Sequence, residues 1–537
     1  MKNNMGSWIE NMTSNYRRWL HWSIYHRKAV LGLTGLAFVL SIVLATMLGG
    51  EFMPKTDQGM IQLVVEAPPG SPIEKLRKNV YDLEKIFKEE VDSTELVSLA
   101  IMFGDREGWG AFGTTSSTIE IYARLTPREK RSRSQFEIQD NIRKKLDKMA
   151  GMSSKFMDNA SFSTERDVEV KFIGFDVQKA KAIAEQFKTE MQKTKGLVDV
   201  SLNIQETSPE IQVRLNKDLL NKYGLSYLQI ANNISTAIQG KVSAQFREAG
   251  EEYDVYVQLD EKYRNKRDAI ERLQIALPAG SMIPLKSIAS ITEEESAPTI
   301  FRENQSRFVS VGAGLSGIQL TDAVKKINEI IAKTPIPGDL QVIVGGAAED
   351  QQEAVFYMML AFIAAVLLVY MIMAAQFESL VDPLIIMFTV PLSLIGVFFF
   401  LFITGTTLSV MALVGIVMLV GIAVNNGIVL VDYINQLRDR GMELFEAVEV
   451  GSVARIRPVL MTALTTILGM VPLAIELGSG SETWSPLAKA VIGGLTVTTI
   501  LTLVFIPVMY IVFERTGAKV KNYLSERRKR KEMIAPA

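Results

Sequence analysis

The chain has 537 residues and a nearly balanced charge, with 58 Lys and Arg against 59 Asp and Glu. This balance gives no general attraction for nucleic acid, so we expect no nucleic-acid partner. There is no cysteine, which excludes disulfides and thiolate metal sites, and the two histidines, His21 and His26, leave little for a histidine site. No glycine-rich phosphate loop or nucleophile–base pattern occurs, so we expect neither an enzyme nor a cofactor.

The N-terminal region predicts a cytoplasmic amphipathic helix at 1–28 and a membrane span at 29–48. The first segment mixes aromatic with polar side chains, and the second has twenty residues without a charge. Twenty residues are enough to cross a bilayer core of about 30 Å. A signal peptide is the alternative, but we favour a true span because Gly49, Gly50 and Glu51 form no clear cleavage site.

The segment that follows, up to residue 350, is soluble in character and mixes strands with helices. Strand patterns at 60–67, 96–103 and 118–125 alternate with helical patterns at 72–90 and 134–149. This is the order of a split βαβ unit. The order recurs at 167–204 and 308–344, around an insertion at 207–295. We therefore predict two similar α/β units, the second interrupted by a separate module.

Five more apolar segments follow, which makes six predicted membrane helices in all. Their approximate limits are 354–374, 383–403, 408–432, 458–476 and 487–513. Lys and Arg cluster before the first span, between the fourth and fifth, and in a basic tail at 514–537. By the positive-inside rule both termini are cytoplasmic and the α/β segment is extracytoplasmic. The predicted fold class is an α+β membrane protein with one helix before the soluble segment and five after it.

Several sequence strings occur in a fixed order along the chain. They are GEFMPKTDQG at 50–59, QFES at 376–379, VPL at 390–392, RIRPVLMT at 455–462 and GMVPL at 469–473. Together they resemble the resistance-nodulation-division (RND) efflux transporters, in particular the hydrophobe/amphiphile branch of the acriflavine-resistance type. The resemblance covers the whole chain, but only the C-terminal half of a usual family member.

The resemblance implies an architecture and a set of partners. It implies two ferredoxin-like βαββαβ porter subdomains, at 49–165 and at 166–206 with 296–350, a docking or funnel module at 207–295, and membrane helices 2–6 within 351–513. It implies proton-driven efflux of small amphiphilic substrates from the bacterial inner membrane, in contact with membrane lipid. A trimeric assembly with a periplasmic adaptor is expected, and an N-terminal-half RND chain is the expected partner for proton coupling.

The family's proton relay resembles two aspartates in the first repeat that face a lysine in the second. In this chain the lysine position falls on Asn425, and Asn426 follows it. An amide takes up no proton near neutral pH, but it hydrogen-bonds a carboxylate or a water molecule. Two interpretations stay open: the amides face a relay whose acids come from another chain, or they hold membrane helices together.

Two further residues match family groups near the relay. Thr462 either lines a water path or bonds back to its own helix. Arg455 either takes part in proton release at the cytoplasmic end or supplies ordinary positive-inside charge.

A glycine-rich string at 103–113 resembles the family's switch loop beside the substrate pocket. The candidate pocket residues are Phe103, Gly108, Trp109, Gly110 and Phe112. Glycines permit loop movement, and aromatic rings offer broad apolar contact. The alternative is a surface turn whose aromatic side chains pack underneath it.

Two other functions stay open. Metal-cation export is one, because thioether clusters bind Cu(I) and the first unit contains Met102, Met149, Met152 and Met157; methionine is, however, more often core filling. The other is a binding or scaffold protein that self-associates through this fold without proton coupling.

Overall fold

The computed structural model describes residues 2–68, 70–104, 117–146, 148–149, 151–157, 166–204, 208–278, 280–296, 299–478 and 480–534. The chain begins with two helices, α1 (Lys2–Tyr25) and α2 (Arg27–Met47). On α1, Leu20 and Ile24 are buried, whereas Trp19 on the opposite side is 73% exposed. The hydroxyl of Tyr16 donates a hydrogen bond of 2.8 Å to the carbonyl of Leu503, which fastens α1 to the last helix of the chain.

The first α/β unit is a four-stranded antiparallel sheet packed with two helices. Its elements are β1 (Met60–Glu66), α3 (Ile73–Glu90), β2 (Leu96–Phe103), β3 (Thr118–Leu125), α4 (Gln135–Leu146) and β4 (Ser153–Met157). The strand order is β2-β3-β1-β4, and β1 pairs with β3 from Met60 opposite Arg124. Ile61, Leu63 and Val65 are buried in one core with the apolar side chains of α3 and α4, as the period of two in a strand requires.

The second α/β unit encloses an inserted module. The unit begins with β5 (Val168–Ile173), α5 (Val177–Lys193) and β6 (Leu197–Leu202). The module follows, with β7 (Ser208–Leu215), α6 (Lys217–Tyr223), α7 (Tyr227–Ile238), β8 (Lys241–Glu248), β9 (Glu251–Val257), α8 (Arg267–Glu271), β10 (Gln274–Ala276), β11 (Met282–Pro284) and β12 (Ala289–Ser296). The unit then continues with β13 (Arg302–Glu303), β14 (Ser306–Leu315), α9 (Leu320–Lys333) and β15 (Gln341–Gly345).

The two units share one strand arrangement. In the second unit β6 lies beside β14, then β5, then β15, which repeats the order β2-β3-β1-β4 of the first. The module leaves and rejoins the unit through β7 and β12, which pair along their whole length. The insertion therefore leaves the core of the second unit intact, and that core has its own buried cluster around Phe172 and Phe187.

The remaining helices form an apolar bundle. They are α10 (Ala347–Phe377), α11 (Val381–Met387), α12 (Thr389–Ile403), α13 (Val410–Asp439), α14 (Leu444–Ala474) and α15 (Ser481–Ile534). Among the described residues, six helical segments are long and apolar enough to cross a membrane: α2, α10, α11 with α12, α13, α14, and α15 as far as Thr516.

Glycine lets the helices of the bundle approach closely. A Cβ atom on Gly493 of α15 would lie 2.7 Å from the carbonyl oxygen of Gly396 on α12, and one on Gly427 of α13 would lie 2.9 Å from Cγ2 of Ile386 on α11. Small residues at such crossings are how helices gain contact in lipid, where no hydrophobic effect drives them together.

The spans predicted from hydropathy differ from the helices at their ends. The span at 354–374 is the middle of α10, which begins at Ala347 and carries Glu349 and Asp350 in its first turn. The span at 383–403 is divided at Phe388 into α11 and α12. We attribute the division to Pro391, which has no N–H to donate to the carbonyl of residue 387.

Candidate functional site

The asparagine pair lies at the centre of α13, and its two side chains point in different directions. Asn426 is buried at 4% exposure, whereas Asn425 is exposed. Gly421 and Asp432, one turn before Asn425 and two turns after it, are exposed as well, and a Cβ on Gly421 would meet nothing within 4 Å. Residues spaced by four and seven share one side of a helix. We call this side, with Gly421, Asn425 and Asp432, the open face of α13.

The structure places Thr462 of α14 beside Asn426 of α13, and Arg455 lies nearer the start of α14. The Thr462 hydroxyl lies 3.4 Å from Oδ1 of Asn426 and also 3.0 Å from the carbonyl of Val459 in its own helix. The contact with Val459 is the bond back to its own helix that the alternative interpretation expects, and the role of Thr462 on a water path stays a prediction. The guanidinium of Arg455 lies over the ring of Tyr433, 4.4 Å from its centroid.

Helices α13 and α15 run side by side in a constant register. Gly494 faces Leu419 near the start of the pair, and near its end the hydroxyl of Tyr510 donates a hydrogen bond of 2.6 Å to Asn435. The difference in residue number between the two partners is the same at both points. Residues 498–502 of α15 therefore lie level with the asparagine pair.

Buried polar atoms without a hydrogen-bond partner collect at this level. Within the described part of the bundle they include Nδ2 of Asn426, Oγ1 of Thr498 and Thr502, and Nε of Arg455. Arg455 lies level with Tyr433, seven residues from Asn426, or about 10 Å along a helix. Buried polar groups almost always have partners, and water supplies them where protein does not. These unpartnered atoms extend from the middle of the bundle toward the end that holds Arg455.

Charged side chains are placed away from the centre of the bundle. Among the described residues of α10 to α15, the buried polar side chains are hydroxyls and Asn426, with no buried Asp, Glu, Lys or Arg. Asp432 is exposed and accepts a hydrogen bond of 2.9 Å from Gln436. Lys489 pairs with Glu476 over 3.1 Å near the start of α15. The centre thus holds amides and hydroxyls, which take up no proton near neutral pH.

A charged cleft separates the two α/β units and encloses a cavity of about 240 Å³. Arg143 of α4 donates to both carboxylate oxygens of Asp199 in β6, over 2.9 and 3.0 Å. Arg143 also contacts Asp140 on its own helix. On the second side, Arg166 donates over 2.7 Å to the carbonyl of Asp199. In the closed cleft, Arg143 and Asp199 therefore form a bidentate contact, which is the strongest geometry for an arginine–carboxylate pair.

Other charges in the cleft are partly desolvated. Burial lowers the pKa of the Lys155 ammonium, which the carboxylate of Glu66 opposes. Desolvation likewise lowers the pKa of Arg166, against the charges of Asp199 and of other nearby carboxylates. Carboxylates and cations thus face each other across the cleft.

The loop predicted to line a substrate pocket is only partly described. Phe103 ends β2 opposite Ile119 and packs partly buried against the first core. Gly108, Trp109, Gly110 and Phe112 lie outside the described residues.

The methionines of the first unit have different surroundings, and Met102 is exposed. Met149 and Met152 pack against the first core, and Met157 lines the cleft. No group of three or more His, Cys, Asp or Glu side chains suited to a metal ion occurs in the described ranges.

Sequence reasoning missed a set of contacts that start from the string at 50–59, which it used only as a mark of family. Lys55 donates to Asp167 and to the carbonyl of Leu315, over 3.0 Å each, and Asp57 contacts Arg131. The available signal was the density of charged residues in a segment between a span and a strand.

Comparison with known proteins gives a consistent result. The sequence profile of the AcrB/AcrD/AcrF family matches residues 2–514. The chain is 29% identical over 514 residues to the cation efflux system protein CzcA of Alcaligenes sp. (strain CT14), covering 92% of this chain and 48% of that protein. It is 30% identical over 525 residues to protein HelA of Legionella pneumophila, covering 94% and 50%.

Its fold matches the crystal structure of a heavy metal efflux pump with a TM-score of 0.74 and 27% identity, over 94% of this chain and 52% of that one. The chain thus spans about half the length of the curated relatives it matches. The sequence strings indicate the hydrophobe/amphiphile branch, but CzcA and the crystallised pump are cation and heavy-metal exporters. The comparisons therefore support the RND family and not that branch.

Proposed function

Because the chain belongs to the AcrB/AcrD/AcrF family of RND efflux transporters, we propose that it supplies one six-helix repeat of an inner-membrane cation exporter. In this proposal both termini are cytoplasmic, since the Lys and Arg clusters fall on one side of the alternating helices. The two α/β units act as porter subdomains outside the membrane, and the inserted module is the docking region toward a periplasmic adaptor in a trimer.

Proton coupling in this proposal requires acidic groups from outside these 537 residues. The observation that carries it is the open face of α13, where Asn425 stands exposed in the middle of an apolar helix. An amide that faces hydrocarbon without a hydrogen bond is costly. A second repeat that covers this face and presents carboxylates to Asn425 removes that cost and supplies the proton carriers.

In this proposal the proton leaves along a hydrated path inside the bundle. Thr462, Thr498 and Thr502 line it near the asparagine pair, and Arg455 stands at its far end. Hydroxyls order water without trapping the proton, because they are not titrated near neutral pH.

The cargo in this proposal is a metal cation rather than an amphiphile. Two matched proteins are named for such cargo, and Asp140, Asp167 and Asp199 line the cleft. Carboxylate oxygens suit hard and intermediate divalent cations. In the closed cleft they are held by Arg143 and Lys55, so the cation binds when the cleft opens and separates Arg143 from Asp199.

Growth of the source organism with the gene deleted tests the proposal. We expect the deletion strain to become sensitive to divalent cations such as Zn²⁺, Co²⁺ or Ni²⁺ and to keep its tolerance of amphiphilic dyes. The wild-type gene restores growth, and a gene carrying Asn425→Leu does not, because leucine gives no hydrogen bond to the second repeat. Sensitivity to dyes alone would contradict the cation assignment.

Unchanged growth in both cases would instead favour the scaffold alternative. Asn435→Leu serves as a matched control for a general effect of replacing an amide in α13, because Asn435 bonds Tyr510 within this chain. Loss of this hydrogen bond in Asn435→Leu should lower the amount of protein on immunoblots rather than the activity per molecule.

A further inference from the structure

Residues 49–57, which we call the strap, join the outer ends of the membrane helices to the α/β units. At the membrane side, the N–H of Leu408 donates to the carbonyl of Gly49 over 2.8 Å, and the N–H of Val410 donates to Phe52 over 3.2 Å. Val410 is the first residue of α13, the helix that carries the asparagine pair. The strap therefore holds the outer end of that helix by main-chain hydrogen bonds.

The strap also reaches both α/β units. The N–H of Gly50 donates to the hydroxyl of Thr321 on α9 over 2.9 Å, and Lys55 bonds Asp167 of the second unit. In the first unit the N–H of Gln135 donates to Asp57 over 2.9 Å. One segment thus contacts α13 and both walls of the cleft, so a displacement of either end of the strap must be accommodated at the other.

Glu51 is the strap residue whose carboxylate contacts the loop between α12 and α13. It accepts a hydrogen bond from the hydroxyl of Thr407, just before α13, and it lines a cavity of about 450 Å³ in which Lys55 and Asp167 are the other charged groups. Burial raises the pKa of Glu51 above the ordinary value for glutamate, and the Thr407 hydrogen bond and the charge of Lys55 oppose this increase.

We propose that Glu51 is a positioning residue that couples α13 to the cleft by taking up a proton when the strap is docked on Thr407. A buried carboxyl favours its neutral form, and a hydrated one favours its charged form. By linkage, protonation stabilises the docked strap and ionisation releases it. Each unit by which docking raises the pKa of Glu51 weakens docking of the ionised form about tenfold.

This inference goes beyond the proposed cargo and partner, and it is tested on the purified chain alone. The measurement is hydrogen–deuterium exchange of peptides that cover 49–57 and 407–412, at about pH 5 and about pH 8, divided by the intrinsic exchange rate at each pH. We expect corrected exchange of the wild-type strap to be faster at the higher pH. Glu51→Gln, which mimics the protonated form, should exchange slowly at both.

A second variant separates coupling from a general loss of structure. Thr407→Val removes the hydrogen bond that favours ionised Glu51 in the docked state, so its strap should lose protection more at the higher pH than at the lower. Glu74→Gln, a carboxyl 74% exposed on α3, is the matched control and should behave as wild type. Equal protection of wild type and Glu51→Gln at both pH values would overturn the proposal, as would loss of protection in Glu51→Gln.

Discussion

Asn425 and Asn426 are adjacent and chemically identical, yet the fold gives them different tasks. Asn426 is buried and touches Thr462, so it contributes to the stability of this chain. Asn425 stands on the open face of α13, so its contacts belong to whatever covers that face. The difference follows from the rotation of about 100° between neighbouring helical residues.

Alanine at each position separates the two tasks. Asn426→Ala leaves a cavity and removes the Thr462 contact, and polar contacts between membrane helices average about 0.6 kcal/mol. We therefore expect a lower apparent melting temperature in detergent for Asn426→Ala and no change for Asn425→Ala. Cation resistance in cells should fall for Asn425→Ala despite normal stability. A melting temperature that drops equally in both variants would show that Asn425 is packed within the chain.

Glu51 likewise shows that a single residue can depend on contacts with distant parts of the chain. Its partner Thr407 is far along the chain, and neither residue stands in a pattern that predicts the other. The sequence contained the charge-rich string at 50–59, but only the folded chain shows which partner each of its charges contacts. The carboxyls at 140, 167 and 199 were missed for the same reason, since they meet across two units.

The elements themselves were largely readable from periodicity. Apolar alternation of period two in β1, and of about 3.6 in α3, arises because each buries one side in the same core. Charge-free runs of about twenty residues marked the membrane helices. Hydropathy did not predict the polar ends of these helices, because a helix continues past the bilayer as long as its backbone hydrogen bonds continue. Pro391 carried the signal for the division between α11 and α12.

Close glycine contacts between elements give a prediction about packing. Leucine at Gly493 must displace the backbone of Gly396, which lies 2.7 Å from the position of a Cβ. Overpacking of this kind costs about 1–3 kcal/mol or more. We expect Gly493→Leu to lower the apparent melting temperature in detergent by several degrees or to prevent folding.

Gly35→Leu on α2 is the matched control for that substitution. A Cβ on Gly35 would meet nothing within 4 Å, and leucine has a higher helix propensity than glycine. The control should melt at or slightly above the wild-type temperature. Equal destabilisation of both variants would mean that the loss comes from glycine itself and not from the crossing of α12 and α15.

At the scale of the whole molecule, the strap, the cleft and α13 form one connected arrangement. Residues 49–57 contact the first residue of α13 and both walls of the cleft between the α/β units. In the proposed function, this arrangement transmits movement between membrane and cleft, and a second repeat supplies the proton carriers. The sequence strings indicated the RND family, which the comparisons confirm, and the amphiphile branch, which the comparisons with cation and heavy-metal exporters do not support. The role of the asparagine pair stays a prediction.

In the part of the bundle that the structure describes, no Asp, Glu, Lys or Arg is buried, so we expect this chain alone to carry no proton through the middle of its bundle. The direct test is the purified 537-residue chain in liposomes with an imposed pH gradient, a trapped pH indicator and external Zn²⁺. We predict no Zn²⁺-dependent proton movement from this chain alone, and movement once a chain bearing the acidic first repeat is reconstituted with it. Saturable, gradient-dependent exchange of Zn²⁺ for protons by the chain alone would contradict the account.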